Sequence, residues 1–165
     1  MKKHISIIIT LVGVLLFSAV LTGCGGPKEK AFTKAGMTIN LDDTFKEQED
    51  IPDMTAAYVS NDKAVSFLRE DFSLLQAYGY NPEEIDINRY LEVVKNTNDW
   101  PGEIIEKDGI TQLTYYLSQG DQDFEYLVTA VKTSDAFWLI QFGCLSRDFT
   151  AYYPKFIGWL KTFKA

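Results

Sequence analysis

Histidine is the side chain best suited to moving protons near neutral pH, and this 165-residue chain has one, His4. His4 falls in a segment that reads as a removable leader, so the mature protein is expected to have none. That expectation sets aside Ser-His-Asp and Cys-His catalysis, histidine metal sites and histidine proton shuttles. Cys144 lies in an apolar run and reads as a small buried hydrophobe, since no imidazole is at hand to activate a thiol. Asp121, Asp123 and Glu125 alternate beside Gly120 at a hairpin end. Carboxylates at alternate strand positions point to one side, so the trio is either a solvated turn or a weak oxygen site for Ca²⁺. It lacks the full Asp-x-Asp-x-Asp-Gly…Glu spacing of a calcium loop. The stretch Asp42, Asp43, Glu47, Glu49, Asp50, Asp53 reads as a solvated face. Glycosidase-like carboxylate pairs are expected by chance among 23 acidic residues, and none is marked as buried. No catalytic residue, metal ligand or cofactor site is therefore assigned. Nine tyrosines and eleven phenylalanines suggest a thick aromatic core. The rings left over, Tyr78, Tyr80 and Trp100, form a candidate contact patch, because loops 72–80 and 96–102 flank one helix.

The N-terminus has a pattern of its own. Lys2 and Lys3 precede residues 5–22, which carry no charge, and the run ends Leu21-Thr22-Gly23-Cys24. Lysines hold their end on the cytoplasmic side while the apolar run enters the membrane. Leu21-Thr22-Gly23-Cys24 resembles the lipobox of bacterial lipoproteins. That resemblance implies cleavage after Gly23 and a diacylglyceryl group on Cys24, a two-chain anchor that holds stably. The alternative is an uncleaved anchor, since about 18 apolar residues can just span a bilayer. Both place the domain outside the cytoplasmic membrane. The expected organisation is a signal peptide at 1–23, a flexible tether at 24–34 bearing the lipidated Cys24, and one domain at 35–165. Removing 23 residues and two lysines leaves 142 residues with 14 basic and 23 acidic side chains, a formal charge of −9. Such an acidic chain does not suit nucleic acid.

Certain elements must position these residues. Met37, Ile39 and Leu41 alternate with polar residues as a half-buried strand. Residues 54–60 and 63–71 are β-leaning runs around Asn61-Asp62, a hairpin signal. Residues 72–80 are ambiguous. Asn81 as cap and Pro82 at the first helical position predict a helix with its apolar stripe at Ile87, Tyr90, Leu91 and Val94. Residues 103–146 read as antiparallel strands turning at Asp108-Gly109, residues 119–121 and Ser134-Asp135. The last strand is apolar on both parities, which places it centrally between helices. Because Pro154 is tolerated in a first turn, the closing helix is expected to begin near residues 150–153.

The order of these elements, with its opening strand at Phe32-Thr33-Lys34-Ala35-Gly36-Met37-Thr38-Ile39-Asn40-Leu41, is similar to the PsbP-like α/β/α sandwich. So is the ending, in which Asp135-Ala136-Phe137-Trp138-Leu139-Ile140-Gln141-Phe142 leads into a helix with Phe156-Ile157-Gly158-Trp159-Leu160-Lys161. The similarity is closest to small lipoproteins of Gram-positive bacteria. The resemblance implies an α+β fold, a central antiparallel sheet of about six strands with helices on both faces. It also implies a non-catalytic accessory or protein-binding module, membrane-anchored through Cys24, with an unidentified protein partner and no cofactor. The alternative is a small-molecule or cation-capturing lipoprotein serving a transporter. Shared fold does not by itself give shared function.

Overall fold

The computed structural model describes residues 26–49 and 51–165. The expected signal peptide, Cys24 and Asp50 lie outside the described residues.

Alternating apolar residues and tight turns build most of the chain. Strands β1 (Glu29–Lys34) and β2 (Met37–Asp42) form a separate two-stranded hairpin. Next come β3 (Lys46–Glu47), β4 (Ala56–Val59), β5 (Lys63–Asp71), helix α1 (Phe72–Ala77) and helix α2 (Ile87–Thr97). The meander β6 (Ile104–Lys107), β7 (Ile110–Gln119), β8 (Gln122–Lys132) and β9 (Ala136–Leu145) follows, and α3 (Ser146–Leu160) comes after it. The main sheet has seven strands in the order β3-β4-β5-β9-β8-β7-β6, every neighbouring pair antiparallel. This is one more strand than expected, because the short edge β3 forms inside the acidic stretch read as loop. At the β6–β7 turn Asp108 (φ 57°) and Gly109 (φ 74°) both adopt the left-handed conformation that a two-residue hairpin turn requires.

Three boundaries depart from the sequence reading. Residues 29–34, expected as part of the tether, pair with β2 from Glu29↔Asp42 to Lys34↔Met37. Ala35-Gly36 makes the turn, and Phe32 supplies the apolar anchor, its ring 4.9 Å from that of Tyr58. The first long helix begins at Ile87, since Asp86 is the residue whose carboxylate caps it, accepting from the Arg89 N–H at 2.8 Å. Asn81 caps only a local turn, accepting from the Glu83 N–H at 3.3 Å. Helix α3 starts at Ser146 and carries Pro154 inside it. The carbonyl that Pro154 leaves without its usual donor is that of Thr150, an exposed residue water can reach, while buried Phe149 holds the first turn down,.

The core divides into two clusters, and alternate residues of β9 go to different ones. Trp138, Ile140, Phe142 and Cys144 join the first, with Phe156, Trp159 and Leu160 of α3 and Met37, Ile39 and Leu41 of the hairpin. Phe137, Leu139 and Leu145 join the second, with Tyr90, Leu91 and Val94 of α2. Successive residues of a strand point to opposite sides, so the apolar residues of β9, broken by Gln141, serve both clusters at once.

Candidate functional site

Polar side chains gather at three places on this scaffold. The first lies where the β4–β5 turn meets α3. Asp62 accepts hydrogen bonds from Lys63 Nζ at 2.7 Å, from Ser60 Oγ at 3.0 Å and from the Tyr152 hydroxyl. Burial pushes the Asp62 carboxyl up, but the bonds from Lys63 and Tyr152, with the lysine's charge, outweigh it and leave the group below its ordinary range. Lys63 is buried, its ammonium 4.5 Å from the centre of the Tyr152 ring. In register beside it sits Cys144, and beside that Glu125. Burial, reinforced by Asp148, Glu125 and Asp62, pushes the Cys144 thiol up to about 12. A thiol held so high gives almost no thiolate at neutral pH, which fits the buried packing position of Cys144.

The second place is beneath α2. Glu70 of β5 is buried and accepts from the Tyr90 hydroxyl. Burial raises the Glu70 carboxyl, and the bond from Tyr90 offsets part of the rise. Tyr90 stacks on Phe137 at 4.3 Å. Lys132, its ammonium 5.3 Å from the centre of the Phe137 ring, donates to the Pro82, Glu83 and Ile85 carbonyls at 2.7–3.3 Å. It thereby holds the loop that leads into α2.

The third is an aromatic stack. Trp100 lies 4.7 Å from Tyr115, and Tyr115 lies 5.0 Å from Tyr126. Gln141, 2% exposed, donates its Nε2 to the Tyr115 hydroxyl while its Oε1 has no protein partner. Gly143 lets Tyr126 lie flat on β9, because a Cβ there would be 2.5 Å from Tyr126 Cε1.

The residues singled out from sequence lie as follows. Trp100 is half-buried in the stack, Tyr78 is 51% exposed at the end of α1, and Tyr80 is half-buried just after it. Asp121 is exposed at the β7–β8 turn, Asp123 accepts from Ser118 Oγ at 2.6 Å, and Glu125 is buried against Tyr116. Among the described residues no three His, Cys, Asp or Glu side chains gather around a common point. Asp42, read as part of a solvated face, is buried at the end of β2 with Lys155 3.4 Å away. Asp43, Glu47, Glu49 and Asp53 are exposed. Glu70 and Gln141 were missed, although both carried a signal. Gln141 interrupts an apolar run that is buried on both parities, and Glu70 shares the parity of Leu68 on β5. An open groove of about 440 Å³ runs between α2 and β6, lined by Asn88, Glu92, Lys95, Asn96, Glu103 and Ile104. No described helix is long and apolar enough to cross a membrane.

No protein-family model matches the sequence, and neither does any curated protein. Similar solved structures include the cyanobacterial PsbP of Synechocystis sp. PCC 6803, at 11% identity and TM-score 0.46, covering 89% of this chain and 98% of that one. LpqN of Mycobacterium tuberculosis, described as involved in cell envelope biogenesis, is similar at 10% identity and TM-score 0.43, covering 85% of this chain and 91% of LpqN. A protein of Bacteroides thetaiotaomicron is similar at 13% identity and TM-score 0.51 over 84% of this chain. This chain spans 48% of that protein's length, so what the two share is the fold of one domain.

Proposed function

We propose that the chain is an extracytoplasmic lipoprotein, held by lipid on Cys24, whose PsbP-like domain binds a protein partner without catalysing a reaction. In this reading the two core clusters are the two sides of an α/β/α sandwich, with α3 and the β1–β2 hairpin on one face and α2 on the other. The observation that carries the binding role is α1. None of its residues is buried, and it exposes Leu74 (46%), with Tyr78 (51%) at its end. An apolar pair on a helix that contributes nothing fully buried to the core suits a contact surface, where tyrosine is enriched. The polar clusters support the same reading, since Asp62, Glu70 and Lys132 spend their hydrogen bonds inside the fold. The groove beside α2 favours the second reading, capture of a small polar molecule.

The test is a photo-crosslinking residue at position 78 in the lipidated protein, in its own membrane. A discrete adduct from position 78, absent from the exposed control position Asn96, is the expected result. Adducts at Asn96 and none at Tyr78 would move the binding surface to the groove.

A further inference from the structure

We infer that the protein partner meeting α1 is a basic one, presenting apolar side chains ringed by lysines and arginines. The inference rests on the binding role given to α1 above. Between Arg69 and Arg89 the sequence holds five acidic residues, Glu70, Asp71, Glu83, Glu84 and Asp86, and no basic one. Glu70 is buried. The other four carboxylates belong to the surface that α1 shares.

Backbone bonds fix those carboxylates beside the helix. The Tyr80 N–H donates to the Leu75 carbonyl at 3.1 Å, which folds the chain leaving α1 back against it. Lys132 then clamps the turn that follows. Its ammonium donates to the Pro82, Glu83 and Ile85 carbonyls and lies 5.7 Å from the ring centre of Phe72, the first residue of α1. Because Lys132 grips the turn by its backbone, the side chains of Glu83, Glu84 and Asp86 are left outside, and all three residues are exposed. The Phe72 N–H donates to the Asp135 carbonyl at 2.8 Å, which brings Asp135 up to Asp71 at the start of α1. Arg69 is the cation there, and both carboxylates already hold it. Leu74 and Tyr78 thus share a surface with carboxylates from the chain before α1 and from the turn after it.

An apolar contact asks for an apolar face in return, and its charged rim decides which partners can approach. Like charges set across a rim oppose docking, whereas opposite charges steer the encounter and fix the register. The carboxylates around α1 therefore turn away acidic proteins and anionic headgroups. They favour cationic side chains, arginine above all, whose planar fork matches a carboxylate with two parallel bonds. A basic segment with apolar residues at its centre meets both demands of this surface.

The test uses the full lipidated chain in its own membrane, with a photo-crosslinking residue at position 78. The rim is native, neutralised by Glu83→Gln with Glu84→Gln, or reversed by Glu83→Lys with Glu84→Lys. Asp86 is left in place because it caps α2. The expected result is an adduct whose yield falls about three-fold with the neutral pair and about ten-fold or more with the reversed pair. In isolated membranes the native-rim yield should also fall as salt rises from about 0.1 to about 1 M, which shortens the screening length from about 10 to about 3 Å. The crosslinked partner segment, read by mass spectrometry, should carry more lysine and arginine than aspartate and glutamate. The neutral pair, which keeps the side-chain shape, carries the comparison if the reversed pair does not fold. Equal yields from native and altered rims, an acidic partner segment, or an adduct with lipid or with a second copy of this chain overturns the basic partner and leaves α1 as a contact surface. No adduct from position 78 with any rim defeats the binding role of α1, and the basic partner falls with it.

Discussion

The α3 cluster and the α2 cluster share β9 but are made differently. The first is closed by a long helix and a hairpin around a mainly apolar and aromatic interior, in which Phe142 stacks on Phe156 at 5.1 Å and Phe45 meets Trp159 edge-on at 5.4 Å. Its polar groups, Asp62 with Lys63 and Tyr152 and Asp42 with Lys155, sit around that interior. The second is closed by an eleven-residue helix and holds Glu70, Gln141 and the tyrosines 90, 115 and 126. Apolar packing specifies a stable body, whereas buried polar groups demand exact partners. The α3 cluster thus has the larger unbroken aromatic interior, and the α2 cluster has polar groups inside it.

Phe156→Ala is the largest way to break this comparison. It empties a fully buried position between Phe142, Phe149 and Trp159. A loss of about 3–5 kcal/mol in denaturant melts is expected, and a loss below about 1 kcal/mol would mean that α3 is not docked. Next is Gly143→Ala, whose methyl group meets the Tyr126 ring at 2.5 Å. Overpacking costs about 1–3 kcal/mol, and the near-ultraviolet circular dichroism of the Trp100–Tyr115–Tyr126 stack should change with it. An unchanged spectrum would show that the stack does not depend on that glycine.

Tyr152→Phe removes one bond to the half-exposed Asp62, worth about 1 kcal/mol or less after solvent screening. The folded Asp62 carboxyl is lowered from 3.8, so its contribution is present above that value and lost as pH falls through the folded one. The difference between variant and parent should therefore shrink in strong acid, and a gap that widens there would contradict the assignment. Glu70→Gln acts in the opposite direction. Burial raises the Glu70 carboxyl from 4.5, so its favourable contribution is complete below 4.5 and is lost as pH rises through the folded value. The variant should melt higher than the parent at pH 7, with the advantage vanishing at pH 4. A variant that is destabilised equally at both would show the carboxylate to be better satisfied than its burial implies.

Local signals in the sequence carried much of this architecture. Asp108-Gly109 and Asn61-Asp62 marked hairpins, Tyr90, Leu91 and Val94 marked the buried stripe of α2, and the two-sided apolar run of β9 marked a central strand. The misread boundaries are those where tertiary contacts outweigh local chemistry. Residues 29–34 look like a tether because Glu29, Lys30 and Lys34 are charged. They become a strand because Phe32 finds Tyr58 and the β2 backbone is available to pair. Pro154 looks like a first-turn residue because a proline further in forfeits a helical hydrogen bond, and the exposure of Thr150, whose carbonyl loses that bond, is not visible in the local sequence. The polar clusters were illegible for the same reason: Asp62 and Tyr152 are 90 residues apart, and no local pattern links them. Tyr78, Tyr80 and Trp100 stand out in the sequence as aromatics, whereas the ring contact between Trp100 and Tyr115 is long-range and leaves no local pattern.

The central claim, a domain fixed to the membrane through Cys24, is tested most directly by metabolic labelling with a fatty acid in cells making either the native chain or Cys24→Ser. The account predicts label on the native protein and none on Cys24→Ser, which should accumulate uncleaved or be released from the membrane. Equal label on both proteins, or none on the native chain, would contradict it.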